Sequence, residues 1–183
     1  MAARTIQGEL YARGIEQGVE LFERFLPGFD DANRTAQAEH LPNHMAWTLG
    51  HVAMTSARAI ERLQGQDAPQ PLLDHEFVVA DRGDAERFGT EVVCFGSNPV
   101  DDPAIYPSLA RSAAIFRAVH GRLAGALREA DDAALARPTP WGSGRTTVGD
   151  LMHRMAFHIG THTGQIVDLR RALGIPPVIA PRS

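Results

Sequence analysis

Between Thr147 and Gly174 the sequence carries one long amphipathic helical pattern with two histidines set into its apolar stripe. At about 100° per residue, Leu151, Met155, Ile166, Leu169 and Leu173 all fall within about 40° of His162, and His158 lies one turn before it. A helix of this kind must bury the stripe against other helices. The imidazoles buried with it need partners, because an unpaired buried polar group costs about 1–3 kcal/mol. Two neutral ring nitrogens on neighbouring turns can bind one divalent ion, as the i, i+4 histidines of zinc enzymes do. Ile159 stands where the zinc-protease motif places its glutamate base, so the segment is not of that kind. A hydrogen-bonded pair of core histidines accounts for the same spacing, and spacing alone leaves both accounts open.

Three further segments carry helical periodicity. The first covers residues 6–25, with Leu10, Gly14, Leu21 and Phe25 recurring at three- to four-residue spacing before Pro27-Gly28. Gly14 and Gly18 weaken it by propensity but would admit a close neighbouring helix. The second covers residues 43–64, with Asn43 as N-cap, a stripe of Met45, Leu49, Val52, Ser56, Ile60 and Leu63, and Gly65 as its stop. The third covers residues 104–130, with Leu109, Ala113, Phe116, Leu123 and Leu127 on one face and His120 among them. Thr147, with Asp150 three residues on, caps the fourth. Residues 65–103 hold Pro69, Pro71, Pro99 and Pro103 and read as a long connection, with Glu91-Val92-Val93-Cys94-Phe95 as a short extended piece. So long a connection is either a crossover spanning a bundle or a functional loop. Residues 131–145 read as loop. The expectation is an all-α four-helix bundle, one domain over 1–183, with its long connection between the second and third helices.

Composition removes several chemistries. All 18 basic residues are arginine, so no lysine is present for Schiff-base chemistry or a P-loop. Cys94 is the only cysteine, which rules out a disulfide framework and a cysteine-rich zinc site. Any metal site must be built from histidine and carboxylate. A net charge of −4 argues against nucleic acid as a partner. Nothing reads as a membrane span or a signal-peptide core, so a cytoplasmic location and no membrane partner are expected.

A catalytic zinc site takes three protein ligands and keeps one position open. His153 is nine residues before His162 and points away, His75 lies in the connection, and Pro42 separates His40 from His44. His120 faces inward and is a candidate. His51 is another, although periodicity places it on a second, polar stripe with His44, Trp47, Thr55, Arg58 and Arg62, a pattern that fits a surface. The pieces Asn43-His44-Met45-Ala46-Trp47-Thr48-Leu49-Gly50-His51 and His158-Ile159-Gly160-Thr161-His162-Thr163-Gly164-Gln165 together resemble the DinB-like (DinB/YfiT, damage-inducible) superfamily over nearly the whole chain. The resemblance implies a metal held by one histidine of the second helix and two of the fourth, which here match His51, His158 and His162. Gln165 could orient a ligand or a coordinated water, or could simply pack on the helix surface. Arg58 and Arg62 could attract an anion, with surface salt bridging the plainer account.

Three imidazoles leave the full positive charge on an ion, enough to make a nucleophile of water or of a thiol near neutral pH. The resemblance implies the same two chemistries, thiol transfer and hydrolysis. With no carboxylate beside the pair in the fourth helix, thiol transfer is the first expectation. A metal-dependent hydrolase and a non-catalytic, stress-associated metal-binding protein are the alternatives. Zinc is the first expected ion and nickel the second. The expected partners are a small-molecule substrate, a low-molecular-weight thiol, and a second copy of the chain in a two-fold homodimer.

Overall fold

Each of the four periodic segments forms a long helix in the computed structural model, which describes residues 5–67, 72 and 75–178. In chain order the elements are α1 (Ile6–Glu23), α2 (Met45–Leu63), β1 (Phe77–Val78), β2 (Phe88–Gly89) and a single turn, α3 (Thr90–Val93). A 3-10 turn at Pro103–Ile105, α4 (Leu109–Glu129), α5 (Asp132–Ala136), β3 (Pro138–Trp141), β4 (Gly144–Thr147) and α6 (Val148–Ala172) follow. Pro69 and Pro71 of the connection, and Met1 to Arg4, lie outside the described residues.

Long helices α1 and α2 each pack against both α4 and α6. The consecutive helices α1 and α2 therefore face one another across the bundle diagonal. The core runs between the four, through Ile15 and Phe22, Leu49 and Val52, Phe116 and Leu123, and Leu151, Met155 and Ile159, all buried. Gly18 lets α1 sit against α6, since a Cβ there would lie 3.2 Å from the Ile159 side chain. Among the described residues, no helix is long and apolar enough to cross a membrane.

Several expectations need correction. On α1 the buried residues are Gly8, Ala12, Ile15 and Phe22, while Leu10 and Leu21 are exposed. Leu10 and Leu21 drew the expected stripe to the wrong face; the true one mixes Gly8 and Ala12, where α1 lies close to its neighbours, with Ile15 and Phe22, which fill the core. His44, not Asn43, caps α2: its Nδ1 accepts the Trp47 backbone N–H at 3.1 Å. The third long helix begins at Leu109, capped by Ser108, because the prolines before it permit only a 3-10 turn. Residues 131–145 are not loop. Asp131 caps the short α5, and β3 pairs with β4 in a hairpin whose Trp141 faces Gly144. Thr147 does cap α6, accepting the Asp150 N–H at 3.1 Å while its hydroxyl donates to the Asp150 carboxylate at 2.7 Å.

The largest difference lies in the long connection. Glu91 to Phe95 is not an extended piece; Thr90–Val93 forms one helical turn. β-branched residues favour strands, but here Val92 and Val93 are buried against α2, and packing overrides propensity. The connection clamps itself down through the parallel pairing of Phe77 with Phe88 and through an ion pair between Arg122 of α4 and the buried Glu76 (2.7 Å). At Gly50 it touches α2 so closely that a Cβ would lie 2.6–2.8 Å from the Phe88 ring and Val93. Helix α2 is consequently buried on nearly every side. Trp47, expected on a polar stripe that fits a surface, is covered by the chain's own connection and only 5% exposed.

Candidate metal centre

His51 comes from the middle of α2, and His158 and His162 come from successive turns of α6, which packs on α2. Their potential ligand atoms all lie within 4.8 Å of one another. The Nε2 atom of His158 is 3.3 Å from Nε2 of His51 and 3.2 Å from Nε2 of His162. His51, which periodicity placed on a polar surface stripe, is buried. Periodicity failed because α2 has a second buried face, made by the connection.

The protonation pattern shows what such a cluster requires. The Nδ1–H of His51 donates to the Val93 carbonyl at 2.8 Å, which leaves its Nε2 lone pair aimed at the other two rings. One proton on His158 Nε2 cannot satisfy both of its nitrogen neighbours. Among the described residues, the buried Nδ1 atoms of His158 and His162 have no partner at good hydrogen-bond geometry. Gln165 lies beside the His162 ring and favours its protonated form, while the Gln165 Oε1 accepts from Asn43 Nδ2 at 3.1 Å.

Burial dominates the electrostatics. It pushes His158 down to about 3, helped by the neighbouring His162, His51 and His120 and by Arg154. Burial likewise pushes His162 to about 4, with His51 adding to the effect, and lowers His51 against the pull of the Val93 carbonyl. All three rings are therefore neutral near pH 7, the state in which imidazole is a ligand. A tetrahedral ion at 2.0–2.1 Å from each donor would hold its ligand nitrogens about 3.3–3.4 Å apart, close to the two separations seen here. The residues present fit a divalent ion.

The other histidines lie elsewhere. His120 is a satisfied core residue: its Nδ1–H donates to the Phe116 carbonyl at 2.6 Å, and its Nε2 accepts from the Ser56 hydroxyl at 3.0 Å. His153 is exposed and packs edge-on against Phe157. His75 is exposed beside Glu76, and exposed His40 occupies a turn at φ 62°. Arg58 pairs with Glu61 at 2.8 Å, and Arg62 is buried, donating to the Gln66 carbonyl. Trp47 and the Val93 carbonyl escaped the sequence reading as parts of this site. The i, i+4 spacing of Trp47 and His51 was the available signal for the first; nothing in the sequence marks the second.

Burial of neutral histidines makes stability depend on pH. His44 is buried, and burial pulls it from 6.5 to about 4. The unfolded chain takes up a proton between those values that the folded chain refuses. Its contribution is therefore intact above pH 6.5 and lost as pH falls toward 4. The melting temperature of metal-free protein should drop across that window. In His44→Asn the cap acceptor remains but cannot titrate, so the slope should be shallower by about 1.4 kcal/mol per pH unit. An unchanged slope would contradict the assignment.

A family model described as the DinB superfamily matches residues 15–166. No curated protein matches the chain. Among solved structures, a conserved protein from Enterococcus faecalis superposes with a TM-score of 0.67 over 94% of this chain and 99% of that one, at 15% identity. YfiT from Bacillus subtilis, described as a probable metal-dependent hydrolase with an unusual four-helix bundle topology, superposes with a TM-score of 0.61 over 94% of this chain and 91% of its own, at 16% identity. At such identities the two structures speak for the fold.

Proposed function

The chain belongs to the DinB superfamily, and on that premise we propose that it is a metal-dependent enzyme of thiol S-transferase type whose ion is held by His51, His158 and His162. The observation that carries this reading is the donor set, three neutral imidazoles whose Nε2 atoms converge. A divalent ion so held keeps its full charge and brings the pKa of a sulfur or oxygen nucleophile beside it toward neutrality. Zinc suits imidazole and imposes no geometry of its own, with nickel next.

The chain's own residues define the rest. His51 and His162 are buried, whereas His158 is partly exposed, so the cluster meets solvent on the His158 side. Arg154, one turn before His158, adds positive potential there. Both favour an anionic nucleophile, and a low-molecular-weight thiolate meets that description without a neighbouring general base. In the transfer, the thiol proton leaves to solvent and sulfur bonds to the electrophilic carbon of the second substrate. The leaving group departs with its bonding pair. The hydrolase reading is favoured by the description of YfiT, and there water takes the place of the thiol.

Initial rates of the metal-free, zinc and nickel forms, each with and without added thiol over a panel of electrophiles, separate these readings. Turnover should need both metal and thiol. Its rate should rise with pH along a limb below the free-thiol value of about 8.5. Cys94→Ser should change nothing, because that thiol is spent on the Glu91 carbonyl at 3.4 Å. Thiol-independent turnover would instead make the protein a hydrolase, and silence in every arm would favour a non-catalytic metal binder.

A further inference from the structure

Trp47 stands one turn before His51 on α2, and the two rings are stacked, with centroids 4.5 Å apart and planes 7° from parallel. The indole also lies 6.1 Å from the His162 ring. Its Nε1–H is held in turn, donating to both the Val92 carbonyl and Ser97 Oγ at 3.0 Å. Ser97 Oγ is itself tied to the Val92 carbonyl at 2.7 Å and the Cys94 carbonyl at 2.8 Å. The next carbonyl in the chain, that of Val93, takes the His51 Nδ1–H at 2.8 Å. Two consecutive carbonyls of one segment thus hold two consecutive rings of another. Gly50 supplies the close approach that makes this possible.

We propose that Trp47 is a positioning residue of the metal centre, which, with the Val92–Val93 carbonyls, locks the tautomer and aim of the His51 ring. This rests on the three-histidine reading above. A ring free to rotate or to exchange tautomers would present its lone pair to the cluster for only part of the time. Stacking on the indole removes the rotation, and the Val93 carbonyl fixes the proton on Nδ1. The anchored indole N–H keeps that carbonyl in place by pinning its neighbour. Partners of this outer kind govern metal affinity by about 10–100-fold.

Zinc affinity by competition with a chromophoric chelator tests this in the full chain, comparing wild type with Trp47→Phe, Trp47→Leu and Leu127→Ala. Leu127→Ala truncates a buried core residue and serves as the stability control. Trp47→Leu should lose about 10–100-fold in zinc affinity. Trp47→Phe, which keeps a stacking ring but has no N–H, should lose less. Leu127→Ala should stay within about threefold of wild type despite a lower melting temperature, since Leu127 lies in the last turn of α4 beside Gly8 of α1. In metal-free protein, the ring nitrogen-15 shifts of His51 should report a single Nδ1–H tautomer in wild type and a mixture in Trp47→Leu. Wild-type affinity in Trp47→Leu, or an equal loss in Leu127→Ala, would overturn the inference alone. Wild-type protein that takes up no zinc would overturn the three-histidine reading and this inference with it.

Discussion

His162→Ala should abolish stoichiometric zinc binding while leaving the helical signal nearly unchanged. The His162 ring is 7% exposed, and its Nε2 sits 3.2 Å from that of His158. Removing it leaves two donors, fewer than an ion in a catalytic site keeps. The fold should tolerate the change, because two effects oppose one another. Truncation opens a small cavity on the α2–α6 seam, which destabilises. It also lifts the desolvation of a buried ring whose side-chain partner is Gln165, which offsets part of that loss. Elemental analysis after desalting, together with circular dichroism, checks both halves. A variant that still carries one zinc per chain would remove His162 from the site.

His51→Ala and His120→Ala should separate cleanly, although both rings are buried histidines facing the same bundle. His51→Ala removes the donor from α2 and should weaken zinc binding by more than the 10–100-fold that loss of an outer partner costs. His120→Ala should leave zinc content unchanged and lower stability instead. It removes a fully packed ring that lies 4.3 Å from Phe116, and it strands the buried Ser56 hydroxyl without its acceptor. Loss of packing plus an unsatisfied hydroxyl amounts to about 3–5 kcal/mol. At about 2–4 °C per kcal/mol for a chain of this size, the melting temperature should fall by about 6–20 °C. Zinc lost in His120→Ala and kept in His51→Ala would place the third donor on α4.

The two α6 histidines were legible because α6 has one buried face, and a single stripe is what helical periodicity detects. His51 was not, because α2 is buried on two faces. Its second face, which carries His44, Trp47 and His51, looks polar in sequence and is enclosed by residues 42 to 56 positions away. Only the likeness of the Trp47-to-His51 piece to a known family pointed to it. The order of the helices around the bundle was equally invisible, since periodicity gives each helix a face but not a neighbour. Short elements were misread for a similar reason. The turn at Thr90–Val93 is held by packing under α2 rather than by its own propensities. The hairpin of β3 and β4 carries Pro138 and Pro140, which argue against a strand except where no further strand needs their missing donors.

We propose one divalent-metal site made by three neutral imidazoles, one from α2 and two from α6. Its most direct test is the metal content of wild-type protein that has been loaded with excess zinc or nickel at about pH 7.5 and then desalted. One ion should be retained per chain. Protein that emerges folded and free of both metals would rule the three-histidine site out.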